Sequence, residues 1–201
     1  MDLGILIAGR GSNLGAILTA IGDGILEAKA RLVLSNRSEA GGLEIARHHG
    51  VPTAVVSHRG FASREAFDAS VAQRLHEAGV DFVALAGFDR LISRVLLDAF
   101  SGRVVNIHPA LLPAFPGLHA QRQALEYGVR ITGATVHFVD EQVDHGPIIA
   151  QAAVPVHDDD DETTLSARIL AEEHRLYPAA LQRLAKGALR IAGRRVIGGA
   201  P

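Results

Sequence analysis

Short apolar runs alternate with longer segments in which apolar residues recur every three or four positions, and this continues through the first half of the chain. Leu3–Ala8, Arg31–Ser35, Thr53–Val56, Phe82–Ala86 and Arg103–Ile107 read as strands. Between them, Asn13–Ile21, Leu43–His49 and Ile92–Phe100 read as helices. A further helix carries Arg64, Phe67, Val71, Leu75 and Ala78 on one face, apolar but for its first member. Strand-helix alternation predicts right-handed βαβ units and a parallel sheet. The pattern then changes. Ile131–Val139 and Ile148–Val156 predict an antiparallel pair joined by Asp140–Pro147. An acidic loop, His157–Glu162, leads into a helix from about Thr163 to Lys186, ended by Gly187. The tail, Gly187–Pro201, holds a short final strand around Arg190–Ile197. The predicted fold class is α/β: one Rossmann-like domain, with a mainly parallel central sheet, helices on both faces and an antiparallel C-terminal edge.

Composition narrows the class. The 201 residues suffice for one full hydrophobic core, and 48% apolar with only 4% aromatic suits a buried sheet covered by helices. A net charge of −2 gives no basic surface for nucleic acid. The absence of cysteine excludes disulfides, thiolate catalysis and Cys-based metal sites. The N-terminus lacks a basic start and a long apolar region, and no apolar run approaches the roughly 18 residues of a membrane span. A cytoplasmic protein with no membrane partner is expected.

Candidate chemistry clusters where strands end. In Asn106-Ile107-His108-Pro109, alternation along a strand puts the Asn106 amide and the His108 imidazole on one face. An amide donor and a group that titrates near neutrality suit a reaction through an oxyanion on a carbonyl carbon. They equally suit a strand-end pair satisfied by nearby backbone. Asp144, in Val143-Asp144-His145-Gly146-Pro147, is either a turn residue or a carboxylate that raises the His108 pKa and keeps it charged near pH 7. Gly146 is expected to allow an unusual backbone path there. Gly9-Arg10-Gly11-Ser12-Asn13-Leu14-Gly15 follows the first strand and opens a helix. It reads as a phosphate cradle or as a tight turn capped by Ser12 or Asn13. On the last helix, Leu165, Ile169, Leu176, Ala180 and Leu184 form the apolar stripe, and Glu173 falls on it. Such a carboxylate needs Arg168, Arg175 or ligand hydroxyls. Thr135 and His137 share a strand face and either line the site or support it.

Several of these segments together closely resemble the phosphoribosylglycinamide formyltransferases, a family of folate-dependent formyltransferases. The resemblance rests on Gly9–Leu14, Leu85-Ala86-Gly87-Phe88, Asn106–Pro109, Leu111-Leu112-Pro113, Phe115-Pro116-Gly117, Thr135–Phe138, Asp144–Gln151 and Glu172–Pro178. It implies transfer of a formyl group from 10-formyltetrahydrofolate to the amine of 5-phosphoribosylglycinamide, in purine synthesis, with no metal. It also implies Asn106, His108 and Asp144 as the chemical residues, with His108 as general acid. Gly11, Ser12 and Asn13 would hold the ribonucleotide phosphate, and Glu173 its ribose hydroxyls. Arg64 would approach the folate glutamate, while Asp89, Arg90, Leu91 and Ile92 would bind the pterin, largely through backbone; Asn106 would also touch the folate. By the same resemblance, residues 1–100 form a phosphate-binding half and 101–201 a catalytic half, in a monomer or homodimer. Two positions depart from the family pattern: Asp89 stands where methionine is usual, and Ala110 where serine is. A formyltetrahydrofolate hydrolase, an amino-sugar formyltransferase and a noncatalytic folate or nucleotide sensor are the alternatives.

Overall fold

The computed structural model describes residues 1–198; residues 199–201 of the predicted tail lie outside the described residues. Contacts divide the chain into two compact units, Met1–Asn106 and the part beginning at Ile107.

The first unit holds β1 (Asp2–Ile7), β2 (Lys29–Ser35), β3 (Thr53–Val55) and β4 (Phe82–Leu85), and with β5 (Val104–His108), which begins there, they lie in the order β3-β2-β1-β4-β5. All four pairings are parallel. Leu3, Ile5, Leu6 and Ile7 of β1 are fully buried, as a strand covered on both faces requires. The helices are α1 (Ser12–Gly22), α2 (Gly42–His48), α3 (Arg64–Glu77) and α4 (Arg94–Ala99). A 3-10 turn, His58–Gly60, precedes α3. Because β1 has β2 on one side and β4 on the other, the chain reverses its winding at the carboxyl end of β1, where open α/β sheets bind ligands. The loops there are joined: Ala8 N–H donates to the Gly87 carbonyl at 3.0 Å.

Helix α4 starts later than the predicted Ile92. The Ser93 N–H is donated to the carboxylate of buried Asp68 at 2.5 Å, and Ser93 stays extended as the N-cap. Nor do Ser12 or Asn13 cap α1. Gly11 is the N-cap, at φ 80, and no side chain bonds there. A Cβ on Gly11 would sit 2.5 Å from the Gly42 Cα, so glycine is set both by conformation and by the close approach of α2.

In the second unit, β6 (Ile131–Phe138) and β7 (Ile148–Pro155) pair antiparallel, as predicted. Helix α6 (Glu162–Ala185) packs on both strands through Leu165 and Ile169 against Ala134 and Val154. Asp161 caps α6, and Thr164 completes a capping box. Gly187, at φ 64, follows the helix end and donates to the Leu184 carbonyl. The buried stripe of α6 runs Leu165, Ile169, Glu173, Tyr177 and Leu181, while Leu176 is only half-buried.

Two elements differ from the sequence reading. The segment 120–127, assigned no element from the sequence, is a helix, α5 (Ala120–Tyr127), ended by Gly128 at φ 78. The tail holds a hairpin rather than one strand: β8 (Arg190–Ala192) and β9 (Arg195–Ile197) turn at Gly193, φ 61, with β9 paired parallel to β7. The α/β class with a mainly parallel sheet and antiparallel C-terminal strands is the architecture observed.

Candidate active site

Strand β5 places Asn106 opposite Leu85 of β4 and His108 two residues further, on the same strand face. Asn106 is half-buried, and the His108 residue is 4% exposed. His108 Nδ1 lies 3.2 Å from Asp144 Oδ2, and its Nε2 lies 2.8 Å from the Phe115 carbonyl oxygen. The same Asp144 oxygen accepts from the Gly117 N–H at 2.8 Å. His137 completes the group: its Nε2 is 3.6 Å from Asp144 Oδ1, and its Nδ1 is 2.8 Å from the Phe138 carbonyl. Thus one carboxylate lies between two buried imidazoles. Asp144 is therefore not merely a turn residue.

Burial sets the direction of the His108 pKa shift. It pushes the imidazole below the ordinary value, against the Asp144 carboxylate and the Phe115 carbonyl, which favour the charged form; His137 adds to the lowering. Asp144 acts in the direction expected of it, favouring the charged ring, but burial acts against it and is the larger effect. Burial also acts to raise Asp144. The hydrogen bonds from His137 and Gly117, with the nearby imidazoles, outweigh it and hold the carboxyl below its usual value. Both ring nitrogens of His108 face acceptors, an arrangement that the doubly protonated ring alone fills with two N–H donors.

The loop carrying Asp144 is fixed from several directions. Asp144 itself takes the left-handed conformation, φ 50. The unusual backbone path is thus at Asp144, and not at Gly146 as expected. Gly146 is required for contact instead: a Cβ there would lie 1.8 Å from the Phe138 carbonyl oxygen. From the C-terminal hairpin, Arg194 donates to the His145 carbonyl at 2.6 Å and to its ring Nε2 at 2.9 Å. His145 Nδ1 in turn pairs with Asp140 at 2.8 Å. The loop after β5 is anchored by Thr135, fully buried, which accepts from Leu112 N–H and donates to the Ala110 carbonyl. Thr135 is therefore a support, and the Leu111–Gln123 stretch is held at its start.

The first unit presents other candidates. Gly11, Ser12 and Asn13 form the N-terminal turn of α1, with Gly42 N–H bonded to the Gly9 carbonyl at 3.1 Å. Arg64 is exposed at the start of α3. Asp89, Arg90, Leu91 and Ile92 form the loop after β4. The Asp89 carboxylate accepts from Asn36 at 2.9 Å and pairs with Arg37. One turn beyond Arg64, Asp68 holds Ser93 and so ties α3 to the end of this loop. In the second unit Glu173 is 6% exposed; Arg168 pairs with Asp160 and Arg175 with Glu172. The structure brings His108 and Asp144 into contact and sets Asp89–Ile92 in one loop. His137, read from the sequence as lining or supporting the site, lies beside Asp144. Asp68 escaped the sequence reading; its one signal is an acid beside Phe67 on an apolar face.

The chain is similar to known proteins along most of its length. The formyl transferase family model matches residues 1–181. The chain is 50% identical over 188 residues to the trifunctional purine biosynthetic protein adenosine-3 of Drosophila pseudoobscura pseudoobscura, covering 92% of this chain. It spans only 14% of that relative's length. It is 42% identical over 191 residues to the phosphoribosylglycinamide formyltransferase of Escherichia coli, covering 95% of this chain and 90% of the relative. The crystal structure of glycinamide ribonucleotide transformylase 1 from Symbiobacterium toebii superposes with a TM-score of 0.97 at 52% identity, covering 98% of this chain and 93% of that one.

Proposed function

This chain belongs to the formyl transferase family, and from that membership we propose that it moves a formyl group from 10-formyltetrahydrofolate to the amine of 5-phosphoribosylglycinamide. The observation that carries the reading is the buried His108–Asp144 contact at 3.2 Å, at the end of a strand that also bears Asn106. An amide donor and a buried, carboxylate-backed imidazole fit the oxygen of a formyl group on which charge develops. Two relatives that cover most of this chain are named for this transfer.

In the proposed reaction the neutral amine attacks the formyl carbon, a C–N bond forms, and the formyl oxygen becomes an oxyanion. The Asn106 amide and His108 stabilise that oxygen. In this reading His108 acts as the protonated donor to that oxygen, with Asp144 and the Phe115 carbonyl favouring the imidazolium against burial. The attacking nitrogen loses a proton, the leaving folate nitrogen gains one as its bond to the formyl carbon breaks, and Asp144 assists this relay. Gly11, Ser12 and Asn13 hold the phosphate through backbone and side-chain groups at the start of α1. Glu173 meets the ribose hydroxyls. Asp89, Arg90, Leu91 and Ile92 hold the pterin, and Arg64 the glutamate carboxylate. We assign these roles within one formyltransferase domain, with the phosphate site in residues 1–100 and the chemistry centred in 101–201. The reaction is placed in the cytoplasm and needs neither metal nor nucleic acid.

The test is turnover of 10-formyltetrahydrofolate with and without 5-phosphoribosylglycinamide. Acceptor-dependent formylated product is expected. Formate release independent of acceptor would make the protein a hydrolase, and tight folate binding without turnover would make it a sensor.

A further inference from the structure

Asp144 stands in the left-handed region, at φ 50, in a loop that supplies no other residue to the proposed chemistry. Aspartate adopts that conformation at a cost, so the surrounding structure has to hold it there. Part of the hold is Gly117, whose N–H meets the Asp144 carboxylate at 2.8 Å. The rest comes from outside the site. Arg194, at the turn between β8 and β9, donates from Nη2 to the His145 carbonyl at 2.6 Å. Its Nη1 lies nearer the His145 ring Nε2, at 2.9 Å, than Nδ1, at 3.3 Å. Arginine has only donors, so Nε2 is the accepting nitrogen and Nδ1 carries the proton that goes to Asp140 at 2.8 Å. Asp140 also accepts the Gln142 N–H at 2.9 Å. One guanidinium thereby fixes the peptide after His145 and, through the ring, the start of the same loop.

The guanidinium is itself held in place. Strand β9 pairs with β7 at Ile148 and Arg195, the residue after Arg194. Arg183, on α6, donates to the Ile149 carbonyl of β7 at 3.0 Å and to the Gly198 carbonyl just past β9 at 3.3 Å. These ties set the hairpin turn beside the loop before any substrate is bound. On the other side of His145, Gly146 leaves no room for adjustment, since even a Cβ there would lie 1.8 Å from the Phe138 carbonyl oxygen. With the His145 carbonyl pinned and Gly146 in contact, the backbone cannot rotate to relieve Asp144. Its carboxylate stays 3.2 Å from His108 Nδ1 and 3.6 Å from His137 Nε2.

We propose that Arg194 is a positioning residue for the formyl transfer: by pinning His145 it keeps the Asp144 carboxylate aimed at His108. The proposal rests on the chemical roles given above to His108 and Asp144. Arg194 touches no reacting atom and acts only through the loop backbone and the His145 ring. The fork of the guanidinium matters as well as its charge, because the single ammonium of a lysine reaches the carbonyl or the ring and not both.

The test compares Arg194→Ala, Arg194→Lys and His145→Ala in the full chain, by turnover and by the NMR titration of His108. Arg194→Ala should lower kcat about three- to tenfold, the effect of one or two partly exposed hydrogen bonds, and leave the folate KM within about twofold. The His108 midpoint should fall in the same variant, because Asp144 favours the charged ring while burial and His137 oppose it. Arg194→Lys should recover part of both effects. His145→Ala keeps the backbone carbonyl, so it should lie between Arg194→Ala and the unaltered protein. Should Arg194→Ala not fold, the other two variants carry the same readings. A kcat within about twofold of the unaltered value would overturn the proposal. So would a lower kcat with the His108 midpoint unmoved, which would leave Arg194 a contributor to stability alone. Absence of formyl transfer in the unaltered protein would instead count against the transferase reading, and the His108 midpoint in the variants would still decide the positioning.

Discussion

In the first unit, the loops at the strand ends hold side chains open to solvent: Arg59, Arg64, Arg90 and Leu91 are exposed. In the second unit, the polar groups are turned inward on one another, with His108 and His137 buried on either side of Asp144. The first arrangement suits recognition, because exposed charges exchange water for ligand at little cost. The second suits chemistry. Its dipoles are oriented before the substrate arrives, in surroundings where each is worth more than in water. Holding them there depends on local backbone constraint, at Asp144 and Gly146, rather than on many ion pairs.

The largest effect should come from the inward-facing group. His108→Ala should lower kcat by at least about a hundredfold while folate KM changes by less than about threefold. A raised KM with normal kcat would move His108 to the recognition side of the comparison.

Next comes the support of that group. Gly146→Ala puts a methyl where the Phe138 carbonyl lies 1.8 Å away. We expect a loss of at least about 2 kcal/mol, read as a drop of several degrees in the thermal midpoint. An unchanged midpoint would show that the loop yields readily.

The charge state gives a third test. The His108 ring, followed by NMR, should titrate below its ordinary 6.5, because burial disfavours the charged form. Asp144→Asn removes a group that favours the charge, so the midpoint should fall further. The sign for stability follows. The unfolded chain protonates this histidine more readily, so its contribution is present above 6.5 and is lost as pH falls towards the lower native value. A native midpoint above 6.5 would mean that Asp144 outweighs burial.

The smallest effect should be at the surface of the first unit. Asp89→Ala breaks the contacts to Asn36 and Arg37, both partners of the ion pair being at least a third exposed. A pair of that kind is worth about 0.2–1 kcal/mol, so folate KM should rise less than about fivefold. A larger rise would show that the loop after β4 depends on this contact for its shape.

The parallel strands were readable to within a residue or two because each is a short run buried on both faces, and apolar content alone marks such runs. The Asn106–His108 pairing was readable from alternation. Helix α5 was not, since it buries only Ala120 and Ala124 and carries no apolar stripe. Its one clear signal was Gly128 at the stop. The late start of α4 depends on Asp68, distant in sequence, and the C-terminal hairpin on a turn at Gly193 that breaks one apolar run in two. The direction of the His108 pKa shift was beyond reach for a related reason. The sequence shows the carboxylate that favours a proton but not the burial that opposes it.

The family match ends at residue 181, yet Arg194 reaches back from the hairpin to His145, next to Asp144. An expression fragment trimmed to the matched region would keep each residue assigned to the chemistry and lose this brace. Where the gene is cut for study therefore bears on activity as much as any point substitution within the strands.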